Sequence, residues 1–371
     1  MLERLGRAVW YRLPMDLRWS AWNRLPAAVQ GKLRALSQSR QAPPRTRLEG
    51  PPVADIGTPR DPIPAILASA QNAACVEFFT RHSALSMLTA QSRALLYQII
   101  RLYRPMDVVE IGAFRGGTTE ALARALAANG AGTVHAIDPF NASEVRRAVK
   151  RWPKPLQPYA ATYATSSMGF FLAQRGLRAG LYLVDGNHDY EYAAFDIAIA
   201  GRHLTPGGFI FIDNVSQPGP FEAANDFLRR NPEFFVCGGN VDSQSIGFDQ
   251  GRRIHDTDFI ALRSEAFRLV HRTARSFGAH LHPRNTITRA MLEIEARERG
   301  TLAAQAVLRG FGPREAELVA SCSLELAPGC GRAELTLPVA VGADHGYYTA
   351  ELLLTWNGET PLKITGEPLI E

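Results

Sequence analysis

Short, continuously apolar segments that alternate with helix-like stretches constrain the fold of this chain more than any other sequence feature. Four of them run into a glycine or a polar residue: MDVVEIG (106–112), GTVHAID (132–138), GLYLVDG (180–186) and GFIFIDN (208–214). Strands that are apolar at every position, rather than at alternate positions, are typical of a parallel sheet with helices on both faces. The pattern therefore predicts a doubly wound α/β domain.

A mostly parallel, Rossmann-like sheet of seven strands is the expected core. AATYA (160–164) adds one strand, and FFVCGG (234–239) and DFIALRS (258–264) close the sheet as an antiparallel pair, because no helix separates them. The intervening patterns predict helices near residues 116–128, 167–176, 190–203 and 220–230.

Composition and periodicity divide the chain into four parts. Residues 1–64 are expected to form a basic helical arm and a Pro-rich linker, and residues 65–265 the α/β domain. Residues 266–315 have a helical pattern and predict a helical connector. Residues 316–371 alternate as strands do and predict a small β-rich C-terminal unit.

The net charge of +5 is unevenly distributed. Residues 1–50 contain 10 Lys and Arg but 3 Asp and Glu, so the other 321 residues carry 31 basic against 33 acidic side chains. A main body with a net charge of −2 argues against a nucleic-acid partner. The four cysteines are scattered and form no CxxC pair, which excludes a disulfide framework and a zinc site of that type.

Residues 1–38 combine arginines with Trp10, Trp19 and Trp22. This mixture fits peripheral contact with an anionic membrane face, and it equally fits an arm that packs on its own domain or on a partner subunit. Charges interrupt the N-terminal segment too often for a secretory signal, and no apolar run is long enough to span a bilayer. We therefore expect a cytoplasmic protein. The small C-terminal unit would be marginal alone, so we expect it to pack on the α/β domain or on a second subunit, and we expect a homo-oligomer.

The segment VVEIGAFRGGTTEALARAL carries the clearest chemical signal. Its strand contains Glu110, and glycines follow before a helix opens. Glycines let a ligand approach the backbone, and a helix N-terminus offers free N–H groups. The spacing is not the G-x-G-x-x-G of dinucleotide folds, and a carboxylate in the turn favours an ammonium group over a diphosphate. Asp138, at the end of the second strand, can accept ribose hydroxyls, so the pair indicates an adenosine with a cationic tail.

With these residues the chain resembles the class I S-adenosylmethionine-dependent methyltransferases, over roughly residues 80–265. The resemblance implies S-adenosylmethionine as cofactor, with Glu110, Gly112 and Gly116 at its methionine end and Asp138 at its ribose. Ser166 follows the third strand, where methyltransferases of this class contact the adenine. A serine in that position also fits a helix cap with no contact to a cofactor.

A second group of polar residues follows the next two strands. Asp185 ends one strand, and Asp213 and Asn214 end the other. Because the carboxyl ends of the strands meet at one crevice, we expect these three side chains to converge. Oxygen donors are the ligands of Mg²⁺ or another hard divalent cation, and not of zinc. Asp196, on the helix between these strands, is expected to face solvent or to pair with Arg202.

This second group resembles the metal-dependent O-methyltransferases of the catechol and caffeoyl-coenzyme A type. The segment DGNHDYE is more similar to a bacterial group that includes macrolide-sugar O-methyltransferases and cephalosporin-hydroxylase-like proteins. The resemblance implies that Asp185 and Asp213 are metal ligands and that His188 is a general base, with Asp185 also part of the catalytic set. A cation would lower the pKa of an acceptor hydroxyl, and an imidazole takes up its proton near neutral pH.

The expected function is therefore metal-assisted O-methylation of a sugar or another polyhydroxylated small molecule, with a glycan among the acceptors considered. Two alternatives remain open on the sequence. In the first, the chain binds the cofactor without methylating, or is an oxygenase-like relative. In the second, it is an NAD-dependent oxidoreductase, which the position of Glu110 argues against.

Overall fold

The computed structural model describes residues 48–83, 85–231, 233–238, 254, 257–269, 287–311, 317–338, 347–358 and 362–365. The predicted arm (1–38) lies outside these residues. No helix within the described ranges is both long enough and apolar enough to cross a membrane.

Three helices precede the sheet: α1 (Ile63–Ala68), α2 (Ala70–Arg81) and α3 (Ala90–Tyr103). Side-chain hydroxyls cap two of them, since Ser69 accepts from Asn72 N and Thr89 accepts from Ser92 N. Helix α3 ends at Arg104, which adopts a left-handed conformation with φ 51° directly before Pro105. The missing N–H of proline and its steric effect on the preceding residue account for the end of the helix there.

The α/β domain then follows the predicted order. Its strands are β1 (Asp107–Ile111), β2 (Thr133–Ile137), β3 (Ala160–Tyr163), β4 (Ala179–Val184), β5 (Leu204–Ile212), β6 (Phe234–Cys237) and β7 (Ile260–Ser264). Its helices are α4 (Gly117–Asn129), α5 (Ala142–Arg151), α6 (Ser167–Ala173), α7 (Tyr190–His203) and α8 (Pro218–Arg230). Of these five helices, α5 is the one that the sequence did not predict.

The sheet order β3-β2-β1-β4-β5-β7-β6 confirms the predicted fold class. β1 pairs in parallel with β2 and β4, and β4 pairs in parallel with β5. Only β7 runs antiparallel to its neighbours β5 and β6. Helices α3 and α4 cover one apolar face of the sheet, and α6, α7 and α8 cover the other. The carboxyl ends of the five parallel strands therefore share one edge, which we call the carboxyl edge.

The helical connector predicted for residues 266–315 is wrong. This region contains the strands β8 (Phe267–Leu269), β9 (Ile287–Ala296) and β10 (Gly300–Phe311). In β10, Leu302 and Ala304 are buried whereas Ala303 and Gln305 are exposed, which is the alternation of a half-buried strand. Antiparallel pairing along both sides of β10 outweighs the helix propensity of its alanines and leucines.

The C-terminal unit is β-rich as predicted, but it begins earlier than expected. Its later strands are β11 (Glu317–Leu326), β12 (Gly329–Pro338), β13 (Tyr347–Trp356) and β14 (Leu362–Thr365). They form one antiparallel sheet of order β11-β10-β13-β14 and another of order β12-β9-β8. Arg178 pairs with Glu295, and Arg297 lies over Gly207 in the first half of β5. The unit therefore contacts the edge of the α/β sheet opposite the carboxyl edge.

Arg263 joins several segments at that opposite edge. Its buried guanidinium donates to the carbonyl oxygens of Gly207 (3.1 Å), Pro59 (2.7 Å) and Arg60. It also lies 4.5 Å from the centre of the Tyr103 ring. The Arg263 side chain thus donates hydrogen bonds both to the first half of β5 and to the segment that precedes α1.

Arg263→Met should destabilise the protein because it removes the donor of the buried Gly207 carbonyl and the hydrogen bonds to the carbonyl groups of Pro59 and Arg60. We expect the free energy of unfolding to fall by about 2 kcal/mol, from the cost of roughly 1–3 kcal/mol for one buried group left unpaired. Urea unfolding followed by circular dichroism measures the change. Arg229→Met, at an exposed ion pair with Asp226, is the control and should cost under about 1 kcal/mol. Equal losses in the two variants would contradict the role given to Arg263.

Candidate active site

The turn after β1 is built on close backbone approaches. Gly112 has φ 92°, and its N–H donates to the Ile137 carbonyl at 3.0 Å. A Cβ on Gly112 would lie 1.8 Å from the Asp185 carbonyl oxygen, so no other residue fits there. Gly116, at φ 78°, caps α4 and packs against Val145 of α5. The turn therefore lies against the end of β2 on one side and the loop after β4 on the other.

Glu110 is buried beneath this turn. The hydroxyl of Thr119, in the first turn of α4, donates to Glu110 Oε2 at 2.5 Å. Burial raises the pKa of Glu110 to about 8, and the nearby carboxylates of Asp185 and Asp138 act in the same direction, while the Thr119 hydroxyl opposes them. The side chain thus takes up a proton that a cationic group beside it would displace.

Asp138 is held by the protein's own backbone. Its Oδ2 accepts from Phe114 N at 2.8 Å, and its Oδ1 accepts from Phe140 N at 2.9 Å and Asn141 N at 2.6 Å. A carboxylate has about four acceptor positions, and three of them are used here. Asp138 therefore shapes the loops after β1 and β2. Its contact with ribose hydroxyls stays a prediction, and its carboxylate has about one acceptor position left for such a contact.

Ser166 adopts the helix-cap alternative. Its Oγ accepts from Gly169 N at 3.2 Å at the start of α6. The next residue, Ser167, is hydrogen-bonded to Asp196, which is buried. The expectation that Asp196 faces solvent or pairs with Arg202 is therefore wrong. Burial raises the pKa of Asp196 to about 6.

Asp185 and Asp213 come together at the carboxyl edge, as predicted, with His188 beside them. The Asp185 and Asp213 carboxyl groups interact directly with each other, and His188 Nε2 lies 3.9 Å from Asp185 Oδ1. Burial raises the pKa of Asp185, and burial together with the adjacent Asp185 carboxylate raises the pKa of Asp213. The Asp185 carboxylate in turn raises the pKa of His188. Their proximity therefore favours a proton on one of the two carboxyl groups.

Asn214, the third predicted metal ligand, follows Asp213 with a left-handed φ of 56°. Within the described ranges, no group of three or more His, Cys, Asp and Glu side chains is arranged around a common metal position. The structure brings the carboxyl groups of Asp185 and Asp213 together, and the carboxamide of Asn214 is next to Asp213 in sequence. This set of oxygen atoms fits a hard divalent cation, which would replace the shared proton.

Three residues that the sequence reading missed hold this group in place. The Gln217 side chain lies beside the His188 imidazole. Asp258 accepts from Ser216 N at 3.0 Å and thereby ties down the loop after β5. A Cβ on Gly219 would lie 2.0 Å from the His188 carbonyl oxygen, so the start of α8 packs directly on the His188 loop. Only the PGP sequence at 218–220 could have signalled this contact.

A methyltransferase-domain family model matches residues 109–215, from the end of β1 to the loop after β5. The match contains the glycine turn, Asp138, Asp185, His188 and Asp213. Over these residues the chain is similar to a methyltransferase domain. The sheet order of this domain and the match agree with the resemblance found in the sequence. No curated protein sequence matches the chain.

Solved structures similar to the methyltransferase domain are distant. An O-methyltransferase from Bacillus cereus in complex with SAH is 15% identical with a TM-score of 0.38, over 52% of this chain and 90% of that one. TomG from Streptomyces achromogenes, an O-methyltransferase of tomaymycin synthesis in complex with SAM, is 16% identical with a TM-score of 0.37, over 48% and 80%. The SAH-bound methyltransferase PaMTH1 from Podospora anserina is 15% identical with a TM-score of 0.38, over 65% and 97%. Likenesses this distant do not identify a substrate.

The buried Glu110 gives the methyltransferase domain a pH-dependent stability of defined sign. Its raised pKa means that the folded state holds a proton which the unfolded state releases, so its contribution to stability falls as pH rises from about 4.5 to about 8. Glu110→Gln mimics the protonated acid and removes this contribution. In urea unfolding across this window, the variant should lose stability less steeply than wild type, by up to about 1.4 kcal/mol per pH unit. Parallel pH profiles would show that Glu110 titrates normally in the fold.

Proposed function

We propose that the chain is an O-methyltransferase that acts on a sugar or another polyhydroxylated small molecule with the assistance of a divalent cation. The observation that carries the proposal is the contact between the Asp185 and Asp213 carboxyl groups beside His188. These side chains follow two neighbouring parallel strands, β4 and β5, at the carboxyl edge. The glycine turn with Glu110 lies directly beside them, because Gly112 packs against Asp185.

Burial of the acidic pair supports a cation there. Two neighbouring carboxyl groups, one buried and the other partly buried, favour either a shared proton or a bound cation, and both groups have raised pKa values here. Asp185 and Asp213 would hold Mg²⁺ or a similar ion, with Asn214 as the neighbouring oxygen donor. When bound, S-adenosylmethionine supplies the methyl group, and the cation supplies positive charge that favours an ionised acceptor hydroxyl.

In this proposal, His188 removes the proton of the acceptor hydroxyl. Its imidazole is partly exposed on the loop after β4, between the acidic pair and the side chain of Gln217. A nitrogen of the His188 imidazole would accept the proton of the acceptor hydroxyl as that oxygen takes the methyl group that bound S-adenosylmethionine would supply. Neutralising the acidic pair removes the charge that raises the pKa of His188, so more of the imidazole is then free to accept the proton.

Loss of the cation ligands should separate catalysis from cofactor binding. We expect Asp213→Asn to lose the calorimetric signal of Mg²⁺ binding and to lower methyl transfer at least about a hundredfold, while the affinity for S-adenosylmethionine stays within a few-fold. Transfer is measured as S-adenosylhomocysteine release from a panel of monosaccharides, nucleotide sugars and catechols. Full activity of wild type in EDTA would exclude the cation role. Binding of NAD in place of S-adenosylmethionine would exclude the proposed function.

Removal of the imidazole should affect turnover alone. His188→Asn is expected to lower kcat by about 10²–10⁴, the usual contribution of a positioned general base, with Mg²⁺ and cofactor affinities unchanged. Asp189→Asn is the matched control, because Asp189 occupies the cap position of α7 without a side-chain cap hydrogen bond. It should retain near-normal kcat. Comparable losses in both variants would indicate that the loop, and not the imidazole, matters.

A further inference from the structure

The turn between β5 and α8 carries residues of the candidate site at both of its ends. Asp213 and Asn214 begin it, and Gln217, beside the His188 imidazole, ends it. Asn214 has a left-handed φ of 56°, and its carbonyl oxygen accepts from Gln217 N at 2.9 Å, which closes the turn. A left-handed conformation is uncommon even for asparagine and persists where surrounding contacts hold it. The shape of this turn therefore depends on contacts from another part of the chain.

Asp258 makes these contacts. It lies two residues before β7, whose antiparallel pairing with β5 brings it opposite the start of the turn. Its Oδ1 accepts from Ser216 N at 3.0 Å, and its Oδ2 accepts from Ser216 Oγ at 2.6 Å. Its backbone carbonyl oxygen accepts from Val215 N at 3.2 Å. One residue thus binds the middle of the turn through three hydrogen bonds, two of them to a carboxylate, which is the stronger kind of acceptor.

The chain on both sides of Asp258 is fixed in the core. Ile254 N donates to the Phe259 carbonyl oxygen at 3.0 Å, and Thr257 donates to the Ile254 carbonyl oxygen through both its N–H and its hydroxyl, each at 2.9 Å. Ile254, Thr257 and Phe259 are all buried. Asp258 therefore projects from a support with little freedom of its own, as a group that orients others needs to do.

The far end of the same turn supports His188. Gln217 lies beside the imidazole, and a Cβ on Gly219 would lie 2.0 Å from the His188 carbonyl oxygen. A displacement of the turn would therefore disturb the acidic pair at its first end and the His188 loop at its last.

We propose that Asp258 is a positioning residue that holds the turn after β5 in the shape that presents Asp213 and Asn214 to a divalent cation. The inference rests on the proposed function, because it concerns the same site. A ligand set that is ordered before the cation arrives binds it more tightly, since less freedom is lost on binding. The methyltransferase match ends at residue 215, so this support comes from a later part of the chain.

Calorimetric titration of the full chain with Mg²⁺, without cofactor or acceptor, measures the effect. Asp258→Ala should bind Mg²⁺ about tenfold or more weakly, as is usual when a group that orients a metal ligand is removed. S-adenosylmethionine affinity should stay unchanged. Glu222→Ala is the matched control, because it removes an exposed carboxylate from α8, and it should bind Mg²⁺ as wild type does.

Two milder variants separate positioning from charge and from loss of the fold. Asp258→Asn should recover most of the affinity, because a carboxamide can accept from Ser216 N and donate to Ser216 Oγ. It should stay somewhat weaker than wild type, since the Asp258 charge also acts on Asp213. Ser216→Ala keeps that charge and loses one hydrogen bond, so it should bind Mg²⁺ a few-fold more weakly with an unchanged melting curve.

Hydrogen exchange of the metal-free protein gives a second readout that needs no cation. Asp258→Ala should speed exchange in peptides that span 213–217 and, to a smaller extent, 186–190, whereas peptides from β1 and β4 should exchange as in wild type. A general loss of stability would instead speed exchange throughout the α/β domain.

Three results would overturn the inference. They are an Asp258→Ala variant that binds Mg²⁺ as tightly as wild type, an Asp258→Asn variant as weak as Asp258→Ala, and unchanged exchange in the turn. The second result would assign the effect to charge alone. If wild type itself binds no Mg²⁺, the cation role in the proposed function fails, and the exchange measurement then decides by itself whether Asp258 holds the turn.

Discussion

The geometry of the site depends on two backbone contacts that only glycine permits. Gly112 lets the turn after β1 lie against the Asp185 carbonyl, and Gly219 lets the start of α8 lie against the His188 carbonyl. The loop that carries Asp185 and His188 is therefore held between the glycine turn and α8. Contacts made by backbone atoms leave little freedom, which is what a carboxylate pair and an imidazole need if they are to act on one substrate atom.

The parallel sheet could be predicted because each of its central strands is apolar along its whole length. VVEI and LYLV, buried on both faces, have no other stable place than the middle of a covered sheet. The C-terminal strands could not be predicted in the same way. Residues 286–310 are rich in good helix formers, and their strand conformation comes from pairing with β11, β12 and β13, which lie further along the chain.

Part of the site could also be predicted from the sequence: the positions of its residues at the strand ends, but not their hydrogen-bond partners. Spacing along the chain places Asp185, His188 and Asp213 at one edge, because topology alone decides where strands end. Spacing does not say which donors a carboxylate finds. Asp138 takes three backbone N–H groups and Asp196 takes the Ser167 hydroxyl, and both partners depend on the path of loops that have no periodicity. Buried carboxylates also have pKa values that no sequence pattern reveals.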